Sequence, residues 1–131
     1  MTPVPTGSVK VELALARETL EAARVLERAG LHRHAVGRAY YAVFHAACAL
    51  LASIGRSSRT HDGVRTLLNE HFVRAGLLDA EHARTLRRMA ADRNDADYDT
   101  SATFDATDSG LDITSAAAFI AAVDAIVIDV A

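Results

Sequence analysis

The segment Arg93-Asn94-Asp95-Ala96-Asp97-Tyr98-Asp99 holds the groups of this chain best suited to handling a phosphate. A guanidinium is a planar fork of donors that matches phosphate oxygens two at a time. Asp97 stands four residues after Arg93, the spacing that pairs opposite charges along a helix. Extending the apolar positions Leu86 and Ala90 by helical steps leads to Arg93 and then Asp97. The stripe that enters the core therefore turns ionic one or two turns later. Burying a guanidinium costs several kcal/mol unless it is paired. Two readings follow: a salt bridge that locks the helix end, or a phosphate-binding arginine facing a polar cleft, with Asn94 beside it.

A second candidate segment is Arg38-Ala-Tyr-Tyr-Ala-Val-Phe-His45. Arg38, Tyr41 and His45 fall on roughly one helix face. His45 is the only ionisable group between Tyr41 and Cys48, and Cys48 reads as packing. A histidine there is either a satisfied core residue or a proton-transfer group facing the cleft. Two metal patterns fail on inspection. Asp95, Asp97 and Asp99 imitate the first ligands of a calcium loop, but Thr100 stands where glycine is needed and Ala106 where glutamate is needed. There is no HExxH pair, and His61 and His71 lack a supporting ligand set. The expectation is no metal and no cofactor, and no glycine-rich phosphate loop is present.

Helices must position these groups. Leu13, Ala16, Leu20, Ala23 and Leu26 recur at helical spacing and predict a helix over Val9 to Ala29, ended by Gly30. His32 to Ile54 becomes apolar on nearly every side from Ala39 onward, which marks a central helix. His61 to Arg74 carries Val64, Leu67, Leu68 and Phe72 on one face, and Gly76 follows. Asp79 is the expected N-cap of a fourth helix, Ala80 to Asp97. Residues 99–111 read as a loop, and Thr114 or Ser115 opens a last helix through Val130. The expected fold is all-α: an up-and-down bundle of four to five helices in one domain, residues 9–131, behind a disordered N-terminus of residues 1–8.

Composition agrees with that fold. The chain has 131 residues, half of them hydrophobic, with few aromatics. Its single cysteine excludes an intrachain disulfide and points to a reduced, cytoplasmic setting. The first residues lack the pattern of a signal peptide, and the apolar run from Ala39 to Ile54 is short for a bilayer span, so no membrane association is expected. Charge is uneven. Residues 94–131 carry eight acidic groups and no basic one, whereas residues 56–93 carry eight basic and five acidic groups. A positive middle suits RNA or a nucleotide, and an acidic tail suits a basic partner. Ordinary solvated helix faces would give the same numbers.

Ala39-Tyr-Tyr-Ala-Val-Phe-His-Ala-Ala47 resembles the second-helix signature of small prokaryotic HEPN proteins (higher eukaryotes and prokaryotes nucleotide-binding). His61-Asp-Gly63, Glu70-His-Phe-Val73 and Gly76-Leu-Leu78 resemble the segment that follows it, and Arg93 to Tyr98 resembles that subfamily's arginine-containing motif. The resemblance implies a homodimer whose two motifs line one shared cleft. It also implies a metal-independent endoribonuclease motif of Arg, four to six residues, then His, and pairing of such toxins with a minimal nucleotidyltransferase antitoxin. In some pairs the antitoxin transfers AMP to a tyrosine near the motif, which makes Tyr98 a candidate target. Here Tyr98 itself stands where the histidine belongs. A phenol with a pKa near ~10 is a poor proton shuttle at neutral pH. Arg93 would supply positive charge, and the proton transfers would fall to Asp97, His45 or the partner chain. Three roles stay open: a toxin-like RNA- or nucleotide-binding component, a non-catalytic module that helps a nucleotidyltransferase hold its substrate, and a helical protein-interaction module. Arg93, Asp97, Tyr98 and His45 are the catalytic candidates, and Arg93, Asn94, Arg38 and Tyr41 the binding candidates.

Overall fold

A computed structural model describes residues 7–130, and side chains from Ser8 to Val127. Five helices follow in order: α1 (Gly7–Arg28), α2 (His32–Ala52), α3 (His61–Leu68), α4 (Ala80–Tyr98) and α5 (Ala106–Val130). Among the described residues there is no strand. The disorder expected for residues 1–8 concerns mainly residues outside the described part; Gly7 and Ser8 open α1.

α2 is the axis of the bundle and touches α1, α3, α4 and α5. The reason lies in its small side chains. Ala35, Ala39, Ala42, Ala46 and Ala49 are fully buried, so neighbouring helices approach closely all round it. α1 lays Leu13, Ala16, Leu20 and Ala23 against it. Gly30 ends α1 at a φ of +78°, a conformation that costs glycine little. Its N–H bonds the Glu27 carbonyl at 2.9 Å and that of Leu31 bonds Leu26 at 2.9 Å, closing the helix end.

Two elements depart from the sequence reading. The third helix leaves α geometry after Leu68 and passes through a π turn, Asn69–Val73. Val64, Leu68 and Phe72 recur every four residues, and all three are buried. A strict four-residue repeat drifts around an α-helix of 3.6 residues per turn. The wider turn brings Phe72 back over the core. The last helix starts at Ala106, well before Thr114 or Ser115, so the expected loop over residues 99–111 is shorter. Asp105 and Asp108 explain the start. Each carboxylate accepts the other's backbone N–H, at 3.0 and 2.9 Å, a reciprocal cap. Acidic and small residues that read as a loop are the first turns of α5.

Those added turns bury Asp112 against α4. Its Oδ1 lies 3.3 Å from an Arg88 nitrogen, and its Oδ2 is buried without a partner. Burial, reinforced by Asp92 and opposed by Arg88, holds this carboxyl up at about 7. An unfolded aspartate titrates near ~3.9. The folded chain thus binds the extra proton between those values, and stability falls as pH rises from about 4 to about 7. Asp112→Asn is expected to flatten this slope and to gain roughly 1–2 kcal/mol over the native chain at pH 8 relative to pH 5. Chemical denaturation at several pH values checks it.

Candidate functional site

α2, the start of α3 and the last turns of α4 meet around one guanidinium. Arg93 comes from α4 and lies over two consecutive rings of α2, 5.2 Å from the centre of Tyr40 and 5.5 Å from that of Tyr41. Its side chain is 17% exposed. Asp97, one turn on, takes a bond of 3.4 Å from Nη1, and His61 Nδ1 lies 3.5 Å from Nη2. Arg93 Nε is buried without a partner. Five donors therefore share two long contacts and two ring faces. Each ring contact is worth about 0.5–2 kcal/mol, while a buried unpaired donor costs about 1–3 kcal/mol. The fold holds this arginine in place without satisfying it.

Arg33 fixes the helix end that carries the segment. α4 has no basic residue in its last turn, and its final carbonyls would be left open. Arg33, from the first turn of α2, donates to the carbonyls of Ala96 at 2.7 Å and Asp99 at 3.1 Å, and also to Ala102. Its guanidinium carbon sits 5.5 Å from the Phe104 ring. The charge suits the negative end of α4.

His61 is the residue that the sequence reading discarded. It is the first residue of α3, directly after the N-cap Thr60, whose Oγ1 accepts the Gly63 N–H at 2.9 Å. A Cβ on Gly63 would run into Ser58 Oγ and crowd Thr60 Oγ1, so the cap closes only over glycine. The His61 ring packs on Phe44 with centroids 4.2 Å apart and planes at 30°. Its Nδ1 lies 2.6 Å from the buried Tyr40 hydroxyl. Burial pushes His61 below the usual histidine range, and Arg93 and Arg65 push the same way against Asp62. Burial also raises the Tyr40 phenol, with Arg93 opposing.

The other candidates separate by place. Arg38 joins the cluster, its guanidinium carbon 4.8 Å from the Tyr41 ring centre. Tyr98 is 73% exposed, and Asn94 is exposed beside it. His45 turns to α1 instead, where Glu12 meets its Nδ1 at 2.9 Å. Cys48 follows it, its thiol pushed up to about 12 by burial and by Glu12, which keeps it unreactive. Among the described residues no three His, Cys, Asp or Glu side chains form a metal cradle. The sequence held two signals for His61: its place in the His61-Asp-Gly63 resemblance, and its position at a capped helix start beside a basic loop.

The model of the HEPN domain matches residues 10–127, which includes all of this cluster. The chain belongs to the HEPN family. A candidate toxin of Methanocaldococcus jannaschii is 36% identical over 92 residues, 70% of this chain and 69% of that protein. A UPF0332 protein of Pyrococcus horikoshii is 35% identical over 85 residues, 65% of this chain and 60% of that protein. A UPF0332 protein of Thermotoga maritima is 37% identical over 83 residues, 63% of each. The HEPN chain thus aligns with between 60% and 69% of the length of these relatives.

The cluster makes a direct spectroscopic demand. His61 is expected to titrate below the model-peptide value of ~6.5 in a ring nitrogen–proton NMR titration. Arg93→Ala removes one positive neighbour and some of the burial, so the His61 midpoint moves up toward the model-peptide value of ~6.5. An unmoved midpoint would deny the Arg93–His61 contact.

Proposed function

We propose that this HEPN protein is a toxin-like component that binds RNA or a nucleotide through Arg93. The observation that carries this reading is the guanidinium itself: rigidly placed, largely buried, and short of acceptors. A phosphate oxygen is the acceptor that such a fork fits. Arg38, exposed at the rim, adds charge for a neighbouring phosphate, and both arginines contact the Tyr41 ring. The toxin part of the reading is supported by the name given to the Methanocaldococcus jannaschii relative.

Two partners belong to the proposal. A second copy would place two Arg93 sites along one cleft, and apolar residues left exposed on α1 (Val11, Leu15 and Val25) are suited to a protein contact. A minimal nucleotidyltransferase would serve as antitoxin, with Tyr98 as its accessible target. The exposed phenol, standing where the family motif has histidine, also favours a second reading, in which the protein does not cleave RNA but helps a nucleotidyltransferase hold its substrate.

Cleavage of a mixed RNA pool in EDTA, with binding measured in parallel, separates these. The native chain is expected to cleave, Arg93→Ala to lose at least 100-fold in rate by removing charge stabilisation at the phosphate, and Tyr98→Phe to stay within a few fold. Binding without cleavage moves the assignment to the non-catalytic module. Neither binding nor cleavage ends the RNA reading.

A further inference from the structure

The cluster contains a proton path that the Arg93–Tyr98 segment lacks. We propose that His61 is the proton donor of this site, giving its Nε2 proton to the leaving 5′-oxygen of an RNA phosphodiester held by Arg93. The inference rests on the RNA-directed reading above and names the residue that would make it catalytic.

The tautomer follows from the neighbours. A guanidinium has donors only, so the histidine nitrogen facing Arg93 Nη2 at 3.5 Å carries a lone pair. That nitrogen is Nδ1, and the Tyr40 hydroxyl at 2.6 Å donates to the same lone pair. The single proton of the neutral ring is therefore on Nε2. Nε2 has no partner among the described residues and is not enclosed. Phe44 packs on one side of the ring, and Tyr41 meets it edge-on with planes at 86°. The ring is thus fixed with Nδ1 toward the guanidinium and its Nε2–H open. His45 is no rival, because Glu12 on α1 holds it.

The bookkeeping of the reaction closes within the cluster. The 2′-oxygen attacks phosphorus, the 2′-O–P bond forms, and the P–5′-O bond breaks. The products are a 2′,3′-cyclic phosphate and a 5′-hydroxyl. The departing oxygen takes the Nε2 proton while Nδ1 takes the phenolic proton of Tyr40, so the imidazole stays neutral. Burial disfavours the phenolate, and the charge of Arg93 beside it opposes that cost. Asp97, on the other side of the same guanidinium and 43% exposed, receives the 2′-hydroxyl proton and returns it through water to the open Nε2, while Nδ1 hands its proton back to the buried Tyr40 oxygen. An alkoxide is about as basic as hydroxide, whose conjugate acid lies near ~15.7, well above an ordinary phenol near ~10, and that gap works against the burial that raises Tyr40.

A substrate with sulfur in place of the leaving 5′-oxygen tests the assignment, because a thiolate departs without a proton. Native chain, His61→Ala, His61→Gln and Arg93→Ala are compared on this substrate and on ordinary RNA in EDTA. Binding of a fluorescent oligoribonucleotide and thermal melting are measured for each. Both His61 variants are expected to lose roughly 10²–10⁴-fold on ordinary RNA, to stay within about tenfold of native on the sulfur substrate, and to bind RNA within a few fold. Arg93→Ala loses on both substrates. If one His61 variant melts early, the other carries the comparison. Equal losses on the two substrates, or native-rate cleavage by a folded His61 variant, overturn the proposal. Native protein that binds RNA but cleaves neither substrate overturns it while leaving the binding reading intact; native protein that binds no RNA removes both.

Discussion

Arg93 lies where three helices converge, on two tyrosine rings of α2 and within long hydrogen-bond reach of Asp97 and His61. Its Nε has no partner. A buried ion that served only stability would be paired closely, or replaced by an apolar side chain at little cost. Here the pairing is loose and the position is rigid. The surrounding structure is arranged around holding this group: alanines bring α2 close to its neighbours, Arg33 seals the end of α4, and the Thr60 cap starts α3 at His61.

Rigidity and chemical openness come from different parts of the chain. The core is apolar and built from small side chains of α2 with larger ones from α1, α3, α4 and α5. Two polar clusters border α4. The enclosed Asp112 and the partly exposed Arg88 form one, partly satisfied. Arg93, Tyr40 and His61 form the other, with a side open to solvent. The enclosed cluster affects stability through its proton. The open one can meet a ligand.

Much of the fold was legible in the sequence because helical periodicity is a property of many residues at once. The α1 stripe, the all-round apolarity of α2, the Asp79 cap and the descent of the α4 stripe into Arg93 and Asp97 all reappear in the structure. The start of α5 did not, because its first turns are capped by two aspartates within a run of small polar residues. The π turn was hidden because a four-residue repeat looks helical whichever geometry accommodates it. The site was half legible. Arg93 with Asp97, and Arg38 with Tyr41, meet through spacings along single helices, which sequence reveals. Tyr40 and His61 meet across 21 residues, and only the packing of α3 on α2 brings them together. His45 shares a segment with Tyr41 but faces α1.

The central claim is that Arg93 is held ready for a phosphate. Its guanidinium N–H groups report on this directly, because in the free protein they share only two long contacts. Nitrogen-15 NMR of the arginine side chains, followed while a short oligoribonucleotide is added, is the measurement to make. The Arg93 side-chain N–H signals are expected to shift, and exchange of the Nη protons with water to slow, as those donors gain an acceptor, with inorganic phosphate giving a weaker version of the same change. An Arg93 signal that stays fixed while RNA saturates the protein would contradict it.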